Sequence, residues 1–263
     1  MLNHQEVTEF ISGFFGYGNP TAEFWFVGME EGGGVHELEV QQRLSAWRDL
    51  KCGKLVDAVE FHARVERQPS VSLAAELFGE SASIQSTWGP LIRFFLRATQ
   101  DASVATADIK RFQQTEWGRA HSNTCLVELL PLPSPSIADW RYSRWTDVEY
   151  LKRRDAYRKH ILPRRLASLA ALLRENGQKV VFFYGSGYVR HWSELAGINL
   201  SQAQAVTIAH NSKGRSLRAR IVPKDGNVYI VAIHPAYSNQ SCYFERLGDI
   251  VRHGRATYVE LDA

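Results

Sequence analysis

Four short apolar runs, each breaking into a polar or glycine-bearing loop, constrain this chain more than any other feature. They are "EFWFVG", "TCLVELL", "KVVFFYG" and "VYIVAIH", and the strands they predict end after Val27, Val127, Phe183 and Ile233. Helical patterns precede and separate them, over 5–15, 35–50, 55–67, 86–99 and 148–175, with Pro163 at an expected break or kink. Strands alternating with helices predict an α/β fold, a three-layer α/β/α sandwich around a central, mainly parallel sheet. "AVTIAH" and "LRARIVP" predict two further strands joined by the polar turn "NSKGRS". No repeat or linker interrupts the 263 residues, so a single domain, 1–263, is expected. In a parallel sheet the carboxyl ends of the strands gather on one edge and build one site. The polar residues delivered to that edge are Glu30, Glu31, Glu128, Ser186 and His234.

The first run poses the sharpest question. "EFWFVGMEEGGG" passes from a buried-looking strand into two adjacent carboxylates and then three glycines, before a helical pattern begins at Val35. Glycines between a strand and a helix let a ligand approach the backbone closely. Hydrophobic content of 44% and charged content of 22% are those of an ordinary globular chain. No apolar run reaches membrane-spanning length and the first residues lack a basic-then-apolar leader, so a cytoplasmic protein without membrane contact is expected. Three widely spaced cysteines with no CxxC pair suggest neither a disulfide framework nor a zinc or iron–sulfur site.

The net charge of +3 says little about partners, but its distribution says more. "KRRDAYRKHILPRR" and "KGRSLRAR" concentrate cations, and "WRYSRW" interleaves them with aromatics. Phosphates need cations and unstacked bases need flat faces. A solvated helix face accounts for the first run equally well.

Three segments together resemble a known family. "VGMEEG", "ELLPL" and "HPAYSNQ" are similar, in order and in their strand-then-loop setting, to the three site motifs of the uracil-DNA glycosylase superfamily. The nearest pattern is that of its single-strand-selective monofunctional members, which read Gly-Met-Asn-Pro-Gly, Asn-Leu-Cys-Pro-Leu and His-Pro-Ser-Pro. The resemblance implies a fold that flips a base out of DNA and hydrolyses its N-glycosidic bond. It implies a water-orienting residue at Glu30, with Glu31 as the alternative, and an electrophile at His234 that stabilises charge on the departing base. It places Gly28, Met29, Gly32 and Gly33 beside the base, and Ser186, Gly187, Pro235, Tyr237, Ser238 and Asn239 on DNA, with Tyr237 as a wedge. Trp88 and Phe24 compete for the stacking position, and Phe24 also fits an ordinary core position. No lysine matches a Schiff-base position, so an abasic site is the expected product, formed by a monomer with no metal or organic cofactor.

The departures from the pattern carry the substrate expectation. Glu128 stands where the family has an asparagine. An ionised glutamate only accepts hydrogen bonds, as from cytosine N4, whereas a protonated one can donate to uracil. Gly32 stands where stricter members carry an aromatic that blocks the base's C5. Together these suggest a C5-modified cytosine, such as those of some phage genomes, and hence a defence enzyme. The alternatives are a uracil or oxidised-uracil repair glycosylase, an inactive DNA-binding module, or a nucleotide-binding enzyme whose "YGSGY" turn holds phosphate.

Overall fold

The computed structural model describes residues 1–68, 70–177, 180–237 and 241–259. Its strands are β1 (Gly16–Gly18), β2 (Phe24–Glu30), β3 (Leu55–Val56), β4 (Glu66–Gln68), β5 (Val71–Ser72), β6 (Thr124–Leu130), β7 (Val180–Tyr184), β8 (Ala205–His210), β9 (Ser216–Lys224) and β10 (Asn227–Ala232). Eight of them form one sheet in the order β3-β1-β6-β2-β7-β10-β9-β8, while β4 and β5 make a separate hairpin. The four apolar runs are the neighbours β6, β2, β7 and β10, all parallel. β1 joins β6 antiparallel, and β9 and β8 extend the other edge antiparallel. The fold is therefore α/β with a mostly parallel, mixed central sheet.

The helices are α1 (His4–Gly13), α2 (Glu37–Asp49), α3 (Ala58–His62), α4 (Leu73–Phe78), α5 (Trp88–Thr99), α6 (Thr106–Thr115), α7 (Arg154–Glu175), α8 (Val189–Ala196) and α9 (Ser241–Val259). Side-chain alternation tells which face each covers. Phe26 and Phe182 pack on Phe94 of α5, and Phe182 also meets Phe244 of α9. Phe183, one residue on, stacks on Trp192 of α8 across the sheet. Helices thus flank the sheet on both faces, as a three-layer sandwich requires, and the buried apolar side chains form one cluster. Among the described residues no helix is long and apolar enough to cross a membrane.

Three readings of the pattern need correction. The helix expected over 55–67 is only α3, because Leu55–Val56 pairs at the sheet edge and the Asp57 carboxylate caps the next turn through the N–H groups of Val59 and Glu60. "GYGNP", whose glycines and proline read as a turn after the first helix, supplies β1. Gly16 and Gly18 adopt φ of +145° and +109°, and a Cβ on Gly16 would stand 2.0 Å from the Leu126 carbonyl oxygen. Glycine is what lets this strand approach β6. At Pro163 no break occurs: α7 continues through it, with the ring on the exposed side.

The connection β2→β6 runs to one side of β2 and β6→β7 returns to the other. The carboxyl end of β2 is therefore the point where strand order reverses, the usual position of a crevice in an open α/β sheet.

Candidate active site

A cavity of about 470 Å³ opens at that point, walled by Glu30, Met29, Tyr184, Ser186, His234 and Arg158 among others. Residues from β2, from β7 and its following turn, and from the end of β10 converge there, as four parallel strands ending in polar loops would require.

Register explains the floor of the site. Gly28 lies beside Glu128 on β6, and beside it on β7 comes Tyr184, one position after the Val27–Phe183 pair. With no side chain at Gly28, the Tyr184 hydroxyl crosses to donate to Glu128 Oε1 at 2.5 Å. A Cβ at Gly28 would stand 2.2 Å from that hydroxyl oxygen and 2.5 Å from Glu128 Oε2. Gly28, expected beside the base, is thus the spacer for the Tyr184–Glu128 pair. Gly28→Ala is expected to lower stability by about 1–3 kcal/mol through overpacking, read from the denaturant midpoint.

Glu128 lies behind Tyr184 and is not part of the cavity wall. Its Oε2 is buried and accepts no hydrogen bond among the described residues. Burial pushes its carboxyl up to about 8, against the hydrogen bond from Tyr184 and with help from the charges of Glu31 and Glu30. At neutral pH Glu128 therefore holds its proton and offers a donor as well as an acceptor. Behind it, the buried Arg165 of α7 donates to the backbone carbonyls of Glu128, Leu129 and Phe14.

Glu30 has a different environment from its neighbour. It ends β2 on the cavity wall, paired through Oε2 with Arg154 at the start of α7, while Oε1 is buried and unpartnered among the described residues. Burial outweighs the nearby charges of Arg154 and Arg158 and pushes its carboxyl up to about 7. Glu31 turns toward α2 and α3. It accepts from Tyr17 (2.8 Å), from Arg43 (3.1 Å) and at longer range from His62 (3.4 Å). Burial alone would push its carboxyl up, but Arg43 and the bonds from His62 and Tyr17 hold it down at about 2. Two adjacent carboxylates thus become a poised base and a fixed anion, and Glu31, the alternative water-orienting acid, is engaged elsewhere.

The glycines divide in the same way. Gly32 is exposed with nothing within 4 Å of an added Cβ. Gly33 (φ +131°) and Gly34 (φ +64°) are closed in: added Cβ atoms would stand 2.7 Å from Glu39 Oε1 and 2.6 Å from the Pro133 carbonyl oxygen. Gly33, expected beside the base, instead seats the loop on the Glu39–Arg43 pair.

His234 follows β10, and its ring meets Tyr184 edge-on with centroids 5.6 Å apart. Burial pushes its pKa down, so the ring is neutral at pH 7. Nδ1 accepts from the Ala236 N–H at 3.3 Å, which puts the ring proton on Nε2. Gly185 turns the chain at φ +99°, and Ser186 and Gly187 stand exposed on the cavity rim. Pro235 is buried at the start of a short turn; the Tyr237 side chain, Ser238 and Asn239 lie outside the described residues. Neither candidate for the stacking aromatic lines the cavity: Phe24 is core and Trp88 packs on Phe78. Tyr184 and Tyr188 are the aromatics that do.

Sequence reasoning passed over Tyr184, Arg154, Arg158 and Ile137. Tyr184 was signalled by its place directly before Gly-Ser-Gly, and the two arginines sit in the basic run "KRRDAYRKHILPRR". Among the described residues no group of histidines, cysteines and carboxylates is placed to hold a metal ion. The fold and site define an α/β protein with a polar carboxyl-end crevice. No family model matches the chain, and no curated protein matches it. Its function therefore follows from the chemistry of this crevice.

Proposed function

We propose that the protein is a monofunctional DNA glycosylase on a uracil-DNA glycosylase-like fold, acting on a flipped pyrimidine. The carrying observation is that Glu30, a buried carboxyl poised near neutrality with one oxygen unpaired, shares a cavity with the neutral, Nε2-protonated His234. The Glu30 carboxylate accepts a proton from water as the water oxygen bonds to the sugar C1′ and the bond from C1′ to the base nitrogen breaks. The electron pair leaves with the base, and His234 Nε2–H donates to the base oxygen on which that charge gathers. The base then takes up a proton from solvent.

The substrate class we propose is a pyrimidine with bulk at C5, a C5-modified cytosine. It rests on the motif resemblance that sets the side-chain-free Gly32 beside C5, while in the fold Gly32 is exposed and is not among the residues that wall the cavity. Such an activity on phage DNA is a defence function. The second reading is uracil, the substrate of the family whose site motifs the chain resembles. The test is mass-spectrometric base release from DNA containing hydroxymethylated or glucosylated cytosine and from uracil-containing DNA. Release of a modified cytosine supports the first reading, and release of uracil alone the second. His234→Ala is expected to slow release about 10²–10³-fold, the cost of losing one oxyanion-type donor. If neither DNA releases a base under single-turnover conditions, the glycosylase proposal fails.

A further inference from the structure

The cavity continues outward. A second depression of about 500 Å³ shares Ile137, Arg154 and Arg158 with it and adds Trp140, Lys152, Arg153 and Asp155. A third, lined by Lys152, Arg153 and Lys159 together with Glu149 and Asp155, follows along the start of α7. The cations there are only partly neutralised. Arg153 pairs with Asp155, Lys152 with Asp147, and Arg154 with Glu30. Arg158 is half-buried at the junction of cavity and groove; its Nε is buried without a partner, and it makes no ion pair among the described residues.

Above this groove the loop after β6 holds Ile137, an apolar side chain 67% exposed, at the cavity mouth. The loop is fixed from several sides. The Ser134 hydroxyl shares its proton between the carbonyls of Ser136 (2.7 Å) and Asp139 (3.0 Å). Arg154 donates to the Ser136 carbonyl at 3.1 Å, Arg141 grips the Asp139 carboxylate, and the Tyr142 hydroxyl donates to the Pro133 carbonyl at 2.9 Å. A rigid tip that keeps an isoleucine in solvent beside a cationic groove gains nothing in folding. It suits a ligand with an anionic backbone and an apolar stack, and nucleic acid has both.

We propose that this face is the polynucleotide-binding surface, with the groove along α7 carrying phosphates and Ile137 entering the base stack as the wedge, an assignment that rests on the glycosylase reading for what occupies the cavity. Arg158 then holds the phosphate flanking the flipped nucleotide. The wedge comes from the loop after β6, whereas the motif resemblance pointed to the loop after His234.

The probes are two fluorescein-labelled duplexes with 2-aminopurine beside the target base, one with a central G·5-hydroxymethylcytosine pair and one with a G·U mismatch, each titrated between about 50 and 200 mM salt. Arg158→Gln with Lys159→Gln is expected to weaken binding and to reduce the slope of log K against log salt by about 1–2. Ile137→Ala is expected to keep the slope but lose most of the 2-aminopurine brightening that unstacking produces. Variants that leave both slope and brightening unchanged overturn the assignment, as does wild type that binds neither duplex at the lowest salt. If the variants behave as expected and no base is released from any DNA, the surface stands and the glycosylase reading falls. If base is released but binding is insensitive to the variants, the glycosylase reading stands and the surface falls.

Discussion

Glu30→Gln is expected to reduce single-turnover base release by about 10²–10⁴, the contribution of a positioned general base. The pH profile separates this role from a merely structural one. Burial pushes the Glu30 carboxyl up to about 7, and in the proposed reaction the deprotonated form is the one that accepts a proton from water. The rate of wild type should therefore rise about tenfold per pH unit below that value and level off above it. Burial pushes the His234 pKa down from its ordinary 6.5, which sets its titration on the acid side of Glu30. The Arg154 guanidinium opposes the burial effect, so Arg154→Gln should move the limb to higher pH. In Glu30→Gln the limb near pH 7 should vanish, leaving a slow residual rate. A glutamine variant that keeps the limb would assign the proton to another group. One that keeps the rate would remove Glu30 from the chemistry. Unfolding midpoints measured on the same samples distinguish either result from a damaged fold.

The strand pattern carried the fold because burial on both faces writes each parallel strand as an unbroken apolar run, and those four runs are the central strands of the sheet. The carboxyl-end crevice was legible for the same reason, and Glu30 and His234 do wall one cavity. What local pattern cannot encode is register and the direction of a side chain. Nothing in "VGMEEG" distinguishes an acid aimed at the crevice from its neighbour aimed at Arg43, a residue on a different element. Nothing in "FFYGSG" states that Tyr184 lies across an empty Gly28 from Glu128, because that depends on the pairing of three strands. The short edge strand Gly16–Gly18 was hidden by its composition, since glycines needed for close approach read as a turn. The three glycines at 32–34 look alike in sequence, and only packing separates the open Gly32 from Gly33 and Gly34.

The network that holds those glycines gives the largest effect on stability. Arg43→Met is expected to cost about 3–5 kcal/mol, because it leaves buried carboxylates without their cation. Arg43 is 2% exposed and bonds Glu39 at 3.2 Å as well as Glu31. Glu39 in turn accepts the N–H groups of Gly34 (3.1 Å) and Val35 (3.2 Å), and the Glu31 carbonyl accepts the Ser134 N–H (3.1 Å). Loss of the guanidinium should therefore loosen both the glycine loop and the loop that carries Ile137. The pH dependence has a definite sign. The folded carboxyl of Glu31 sits at about 2, below its ordinary value of 4.5, so its contribution is present above 4.5 and is lost as pH falls toward 2. Wild type should lose stability across that window. In Arg43→Met that contribution is already missing at neutral pH, so the gap between the two proteins should narrow at about pH 3. Adding Glu31→Gln to Arg43→Met removes one stranded charge and should recover part of the loss at neutral pH. Urea unfolding at about pH 7 and pH 3 measures all three comparisons. A wild-type midpoint for Arg43→Met at neutral pH would mean that backbone packing on Pro133, and not this ion pair, holds the loop that follows Glu30.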